Sequence, residues 1–218
     1  MRISLFSSLL LAGVFVLPCA AELKDEPAAV AALKSETPKD RLEAIYFLGA
    51  RRNQDAYAAL AAHFPAEKDA YLRVQIVEAL NVQGSTWAYA CAAAAADDAN
   101  PAVRQAAASA LAGKAGDQVA DGKLKTLGAD ASETVRLAVV NALSVTASTS
   151  SASILGGVLA DGKGPLRTRR AAAAALSKMK TPSADAELLK HAADADPEIK
   201  AAAAARKPAK TKPTKKKK

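Results

Sequence analysis

Six basic residues, Arg41, Arg73, Arg104, Arg136, Arg169 and Lys200, follow one another at intervals of 32, 31, 32, 33 and 31 residues. A fixed period of that size means one supersecondary unit copied end to end, each copy burying its apolar face on its neighbours. Seven residues after the first five anchors stands a leucine: Leu48, Leu80, Leu111, Leu143 and Leu176. The third and fourth positions after the first four carry Ala44 and Ile45, Ile76 and Val77, Ala107 and Ala108, and Val139 and Val140. Apolar residues at those offsets line one face of a helix. Pro38, Pro101 and Pro197 stand three residues before their anchors, and Pro165 four before, in the first turn, where a missing N–H loses no bond.

A second apolar segment follows each first helix, over 56–64, 87–96, 119–127, 154–159 and 186–193. Acids close several of the links: Asp97, Asp98, Asp130, Asp161, Asp194 and Asp196. A carboxylate there can cap the next helix and face the positive end of its dipole. No alternating run is long enough to argue for a strand. The expected fold is an all-α superhelix of about five helical hairpins, spanning residues 22–205.

The stretches NPAVRQAAASAL at 100–111 and SETVRLAVVNAL at 132–143, preceded by Asp97-Asp98 and Asp130, resemble the first helix of short bacterial HEAT-like repeats of the armadillo type. The resemblance spans residues 35–205 and is strongest in units two to four. It implies a structural ladder in which Asp98, Asp130 and Asp194 pair with the basic anchors Arg41, Arg73, Arg104, Arg136, Arg169 and Lys200. It also implies a tendency to bind proteins, and it brings no active site and no cofactor.

The ends read differently from the body. Met1-Arg2, an apolar run over 3–17 and small residues at 20–21 have the layout of an export signal, cleaved after Ala20 or Ala21. Pro18 argues against lipid attachment at Cys19. The expectation is therefore an exported chain, periplasmic or extracellular. At the other end Arg206, Lys207, Lys210, Lys212, Lys215, Lys216, Lys217 and Lys218 carry eight positive charges, equal to the +8 of the whole chain. The body is thus electrically neutral. A lysine- and proline-rich tail over 206–218 is expected to be disordered and to solubilise the array or attract an anionic envelope polymer or lipid surface. Nucleic acid would attract the tail equally, since no interleaved aromatic singles out one polyanion, but the export signal and the neutral body argue against nucleic acid as the partner.

Every aromatic residue after position 21 lies between 46 and 89. These side chains fill the core of the first two units, or some of them (Tyr46, Tyr57, Tyr71 and Trp87) face a concave groove and anchor an as yet unidentified protein. Cys91, the one cysteine beyond the signal, reads as a buried, inert thiol, with pairing between two chains as the alternative. Motifs for catalysis are missing: no HExxH, CxxC or GxSxG occurs, and the G-x-x-x-x-G-K at 157–163 lacks the strand–loop–helix setting of a phosphate loop. His63 and His191 each end a second helix, where a cation is favourable. The chain is expected to be a non-enzymatic scaffold, with the tail as the main ligand site as the alternative. Bilin lyases and a class of DNA glycosylases use similar repeats, and a lyase subunit or nucleic-acid protein becomes the reading if the export signal is wrong.

Overall fold

A computed structural model describes residues 23–81 and 86–206. Twelve α-helices form among them: α1 (Glu26–Ala32), α2 (Pro38–Arg51), α3 (Gln54–His63), α4 (Ala70–Asn81), α5 (Thr86–Ala95), α6 (Pro101–Ala112), α7 (Gln118–Gly128), α8 (Glu133–Leu143), α9 (Thr149–Ala160), α10 (Leu166–Met179), α11 (Pro182–Leu189) and α12 (Pro197–Ala204). Among the described residues there is no strand.

The helices stand in two rows. The even-numbered helices begin at the basic anchors and pack on one another in sequence, α2 on α4, α4 on α6 and so on to α12. The odd-numbered helices form the second row, beginning with α1, half a unit ahead of the first anchor. One apolar interior runs between the rows, from Ala29 and Leu33 through Ile45, Leu80, Leu111 and Leu143 to Ile199. All five leucines seven residues past an anchor are fully buried. Gly49 lets α2 lie close against α4, since a Cβ there would lie 3.0 Å from that of Ala79.

Local chemistry sets the boundaries. Asn53, Asn100, Asp117, Ser148, Thr181 and Asp196 accept backbone N–H groups in the first turns of α3, α6, α7, α9, α11 and α12. Those caps correct two sequence boundaries. The Ser148 cap starts α9 five residues before 154, and Thr181 with Pro182 starts α11 four residues before 186. The sequence reading also passed over α1, which Asp25 caps and Pro27 opens.

α2 and α10 end on residues with left-handed backbone, Arg52 at φ 54° and Lys180 at φ 50°. The two positions are equivalent, eleven residues past Arg41 and Arg169. A side chain is disfavoured in that region and glycine is not. Arg52→Gly and Lys180→Gly are each expected to stabilise the protein by about 0.5–1 kcal/mol, read as a rise in the urea midpoint.

Candidate functional site

The anchors and acids form one polar chain inside the stack. Arg73 donates from Nε to Asp98 Oδ2 at 2.7 Å and from Nη2 to Oδ1 at 3.0 Å, while its Nη1 reaches the carbonyls of Glu67 and Lys68. Arg104 repeats this on Asp130, at 2.7 and 2.9 Å, and on the carbonyls of Asp98 and Ala99. Such two-pronged contacts suit the planar guanidinium. Each acid also accepts the amide two residues on: Asp98 from Asn100, Asp130 from Ser132, and Asp194 from Asp196. The acids therefore set the turn that launches the next helix, while Asn100 and Asp196, two positions later, cap α6 and α12, and Ser132 makes no side-chain cap on α8.

The first rung is made by Glu67, which the sequence reading missed. Its carboxylate takes Arg41 Nε at 2.8 Å and Nη2 at 3.1 Å, the Asp69 amide at 2.9 Å and His63 Nε2 at 3.1 Å. Burial alone would raise its pKa, but the bonds from Arg41, Asp69 and His63 outweigh that and hold it at about 2. The same balance of burial against guanidinium and amide bonds lowers the pKa of Asp98. Register could have found Glu67: it lies six residues before Arg73, the same offset that separates Asp98 from Arg104 and Asp130 from Arg136.

Three assigned rung members, Arg136, Arg169 and Lys200, depart from the pattern, and Asp161, which was not assigned to it, stays outside. Arg136 donates from Nη1 to the Asp130 carbonyl but meets no carboxylate, and its buried Nε has no partner. Asp161 stands in register and accepts the Lys163 amide as the rung acids accept theirs, yet with the longer link over 161–165 it makes no ion pair among the described residues. Arg169 pairs with Asp194 at 2.6 Å but sends its Nε to the Leu159 carbonyl. Lys200 is exposed and makes no ion pair among the described residues. His191 lies 3.1 Å from Asp194 Oδ2, so both histidines touch a rung carboxylate in addition to ending or following a helix.

The four candidate aromatics do not share a surface. Tyr57 is 3% exposed, packed in the interior of the first unit, and is removed from the groove candidates. Trp87 is exposed but sits on α5, in the odd row. Tyr46 on α2 and Tyr71 on α4 are both more than half exposed and adjoin in the even row. The Tyr46 hydroxyl donates to Gln75 Oε1 at 2.9 Å, and its hydrogen bond with Tyr71 raises its pKa. Among the tail residues, Arg206 is not free: it donates to the Ser177 carbonyl and stands 3.1 Å from Asp185 Oδ1, closing the last unit. Lys207, Lys210, Lys212 and 215–218 lie outside the described residues, as do residues 1–22. Cys91 is buried, and desolvation pushes its thiol up to about 12, which leaves it protonated and inert.

Paired rows of helices threaded by an Arg–carboxylate ladder define an α-solenoid. Residues 123–206 match the family model of HEAT repeats, and the chain is a HEAT-like helical repeat protein. Solved structures share the architecture. The complex of CpcE and CpcF of phycocyanin lyase from Nostoc sp. PCC7120 aligns at 24% identity with a TM-score of 0.55, over 82% of this chain and 74% of that one. A designed armadillo repeat protein aligns at 18% identity and a TM-score of 0.53, over 83% and 98%. A second, solved with the peptide (KR)4, aligns at 20% and 0.52, over 83% and 97%. No curated protein matches the sequence. The lyase complex corrects the expectation of a non-enzymatic chain: enzyme subunits are built on this same fold, so a repeat array without catalytic motifs is no ground for setting the chain apart from enzymes.

Proposed function

We propose that the chain holds a protein partner against the even row of helices, with Tyr46 and Tyr71 as anchors. The observation that carries this is the pair itself: two large aromatic side chains held out to solvent on adjacent helices, one of them fixed by its bond to Gln75. Exposed aromatics of this kind dominate binding energy at interfaces. The charges of Arg41, Arg73, Arg104 and Arg169 are engaged with carboxylates within the stack, so around the tyrosine pair specificity falls to the residues between the rungs. The designed relative solved with (KR)4 has the same architecture with a peptide present.

The proposal extends to place. A charged start, an apolar run over 3–17 and small residues at 20–21 support export with cleavage near Ala21, leaving an array from residue 22 to Arg206. The tail over 207–218 then serves as a salt-sensitive tether to anionic envelope polymers or lipid. Fractionation with N-terminal sequencing is expected to find Glu22 as the first residue outside the cytoplasm, and an intact cytosolic N-terminus would overturn the export reading.

The partner reading is tested by crosslinking in the native host. A partner captured by the wild-type chain is expected to be lost with Tyr46→Ser plus Tyr71→Ser. It is retained with Trp87→Ser and with the tail removed after Arg206. Retention in the tyrosine variant, or loss only on tail removal, would contradict it.

A further inference from the structure

The first joint of the odd row is made by α1, which at seven residues is the shortest described α-helix, against α3. A cleft of about 730 Å³ opens there, walled by Val30, Leu33, Ala59, Ala62 and Ala66. The gap between α4 and α6 is about 210 Å³, and that between α7 and α9 about 220 Å³. Glu67 lies at the end of the cleft with its side chain 1% exposed and its oxygens taken by Arg41, His63 and the Asp69 amide. Its charge is therefore answered from within the protein. The charged side chains left facing the cleft are cationic. Lys34 and Lys68 are exposed and pair with no carboxylate among the described residues. A second opening of about 640 Å³ continues the groove along α1 and α3, sharing Val30, Lys34 and Ala59, and carries Glu26 and Asp55 at its far end.

We propose that this groove binds an amphipathic monocarboxylate, an unbranched alkyl chain ending in a carboxylate. The head group sits between Lys34 and Lys68, and the chain lies along Val30 and Ala59. Charge sets the direction, because Glu26 and Asp55 repel an anionic head from the other end. The size falls within the range of ligand pockets, and an apolar wall with a few convergent polar groups is their usual make-up. A carboxylate receives charge-assisted bonds from lysine, and the same chain ending in an alcohol does not. The site lies in the odd row, away from the tyrosine pair, and does not depend on the partner reading.

The test is isothermal titration of the full chain with dodecanoate and with dodecanol at low salt. Saturable 1:1 binding of dodecanoate is expected, with dodecanol at least about tenfold weaker. Ala62→Trp, at an exposed wall position, fills the cleft and is expected to weaken dodecanoate about tenfold or more with an unchanged circular dichroism spectrum. Lys34→Glu with Lys68→Glu is expected to weaken dodecanoate about tenfold and to leave dodecanol as it was. Three results would each overturn the proposal: no saturable binding, equal affinity for acid and alcohol, or indifference to the charge-reversed pair. The charge-reversed variant decides the matter should Ala62→Trp fail to fold.

Discussion

Arg104→Ala is expected to lower the unfolding free energy by about 3 kcal/mol and Arg136→Ala by about 1 kcal/mol, although the two arginines hold equivalent positions in consecutive repeats. Removing Arg104 deprives Asp130 of both guanidinium bonds while its side chain stays only 10% exposed, and it frees the carbonyls of Asp98 and Ala99. Stripping one partner from a buried ion pair is costly because the other charge is left uncompensated. Arg136 has no such partner: it makes one bond, to the Asp130 carbonyl, and its Nε already has none. Arg104→Lys restores a charge without the two-pronged geometry and recovers only part of the loss. Urea unfolding measures all three, and equal losses at 104 and 136 would show that the carboxylate contributes nothing.

Acid is expected to weaken the first joint by about 3 kcal/mol, in a window fixed by Glu67. Its ordinary pKa of 4.5 falls to about 2 in the folded chain, so between those values the unfolded state binds the extra proton. A depressed carboxylate contributes stability that is complete above about pH 4.5 and disappears as the pH falls towards 2. Asp98, Asp130 and Asp194, also lowered, act in the same direction at the lower end of the window. Glu67→Gln costs stability at neutral pH and flattens the upper part of the acid slope. Stability curves of wild type and variant against pH check this, and parallel curves would contradict it.

The ladder was legible in the sequence wherever the link between hairpins is short and regular. Asp98 and Asp130 were reachable through the resemblance to HEAT-like repeats, which implies an acid–arginine ladder, and both pair with an anchor. Glu67 escaped because the 3-10 turn over Phe64–Ala66 disguises the link and the longer side chain replaces aspartate. Asp161 occupies the register of a rung acid for Arg136 without pairing with it, and Gly164 leaves room for its carboxylate, since a Cβ at 164 would lie 2.7 Å from Asp161 Oδ2. Which face an aromatic takes was not legible, since the second helices are alanine-rich on every side. Nothing in 54–63 distinguishes a buried Tyr57, whose hydroxyl is left without a partner, from an exposed one.

The missing rung and the change in core filling fall in the same half of the array. The described interior holds Ile45, Leu48, Leu60, Leu72, Ile76 and Leu80 in the first two units. From α10 onward its larger members thin to Leu176, Met179, Leu188 and Ile199 among alanines. Aromatics add less to this difference than their number suggests, because only Tyr57 and Phe64 are buried. Alanine favours helix but removes little apolar surface from water. An array of this kind is a chain of nearest-neighbour joints, each with its own free energy. Site-resolved amide hydrogen exchange tests that picture most directly. The amides of α4, α6 and α8 are expected to open together at the highest free energy, and those of α10, α11 and α12 separately, at least about 2 kcal/mol lower. Equal protection from α4 to α12 would contradict a stack whose joints differ in rung and filling.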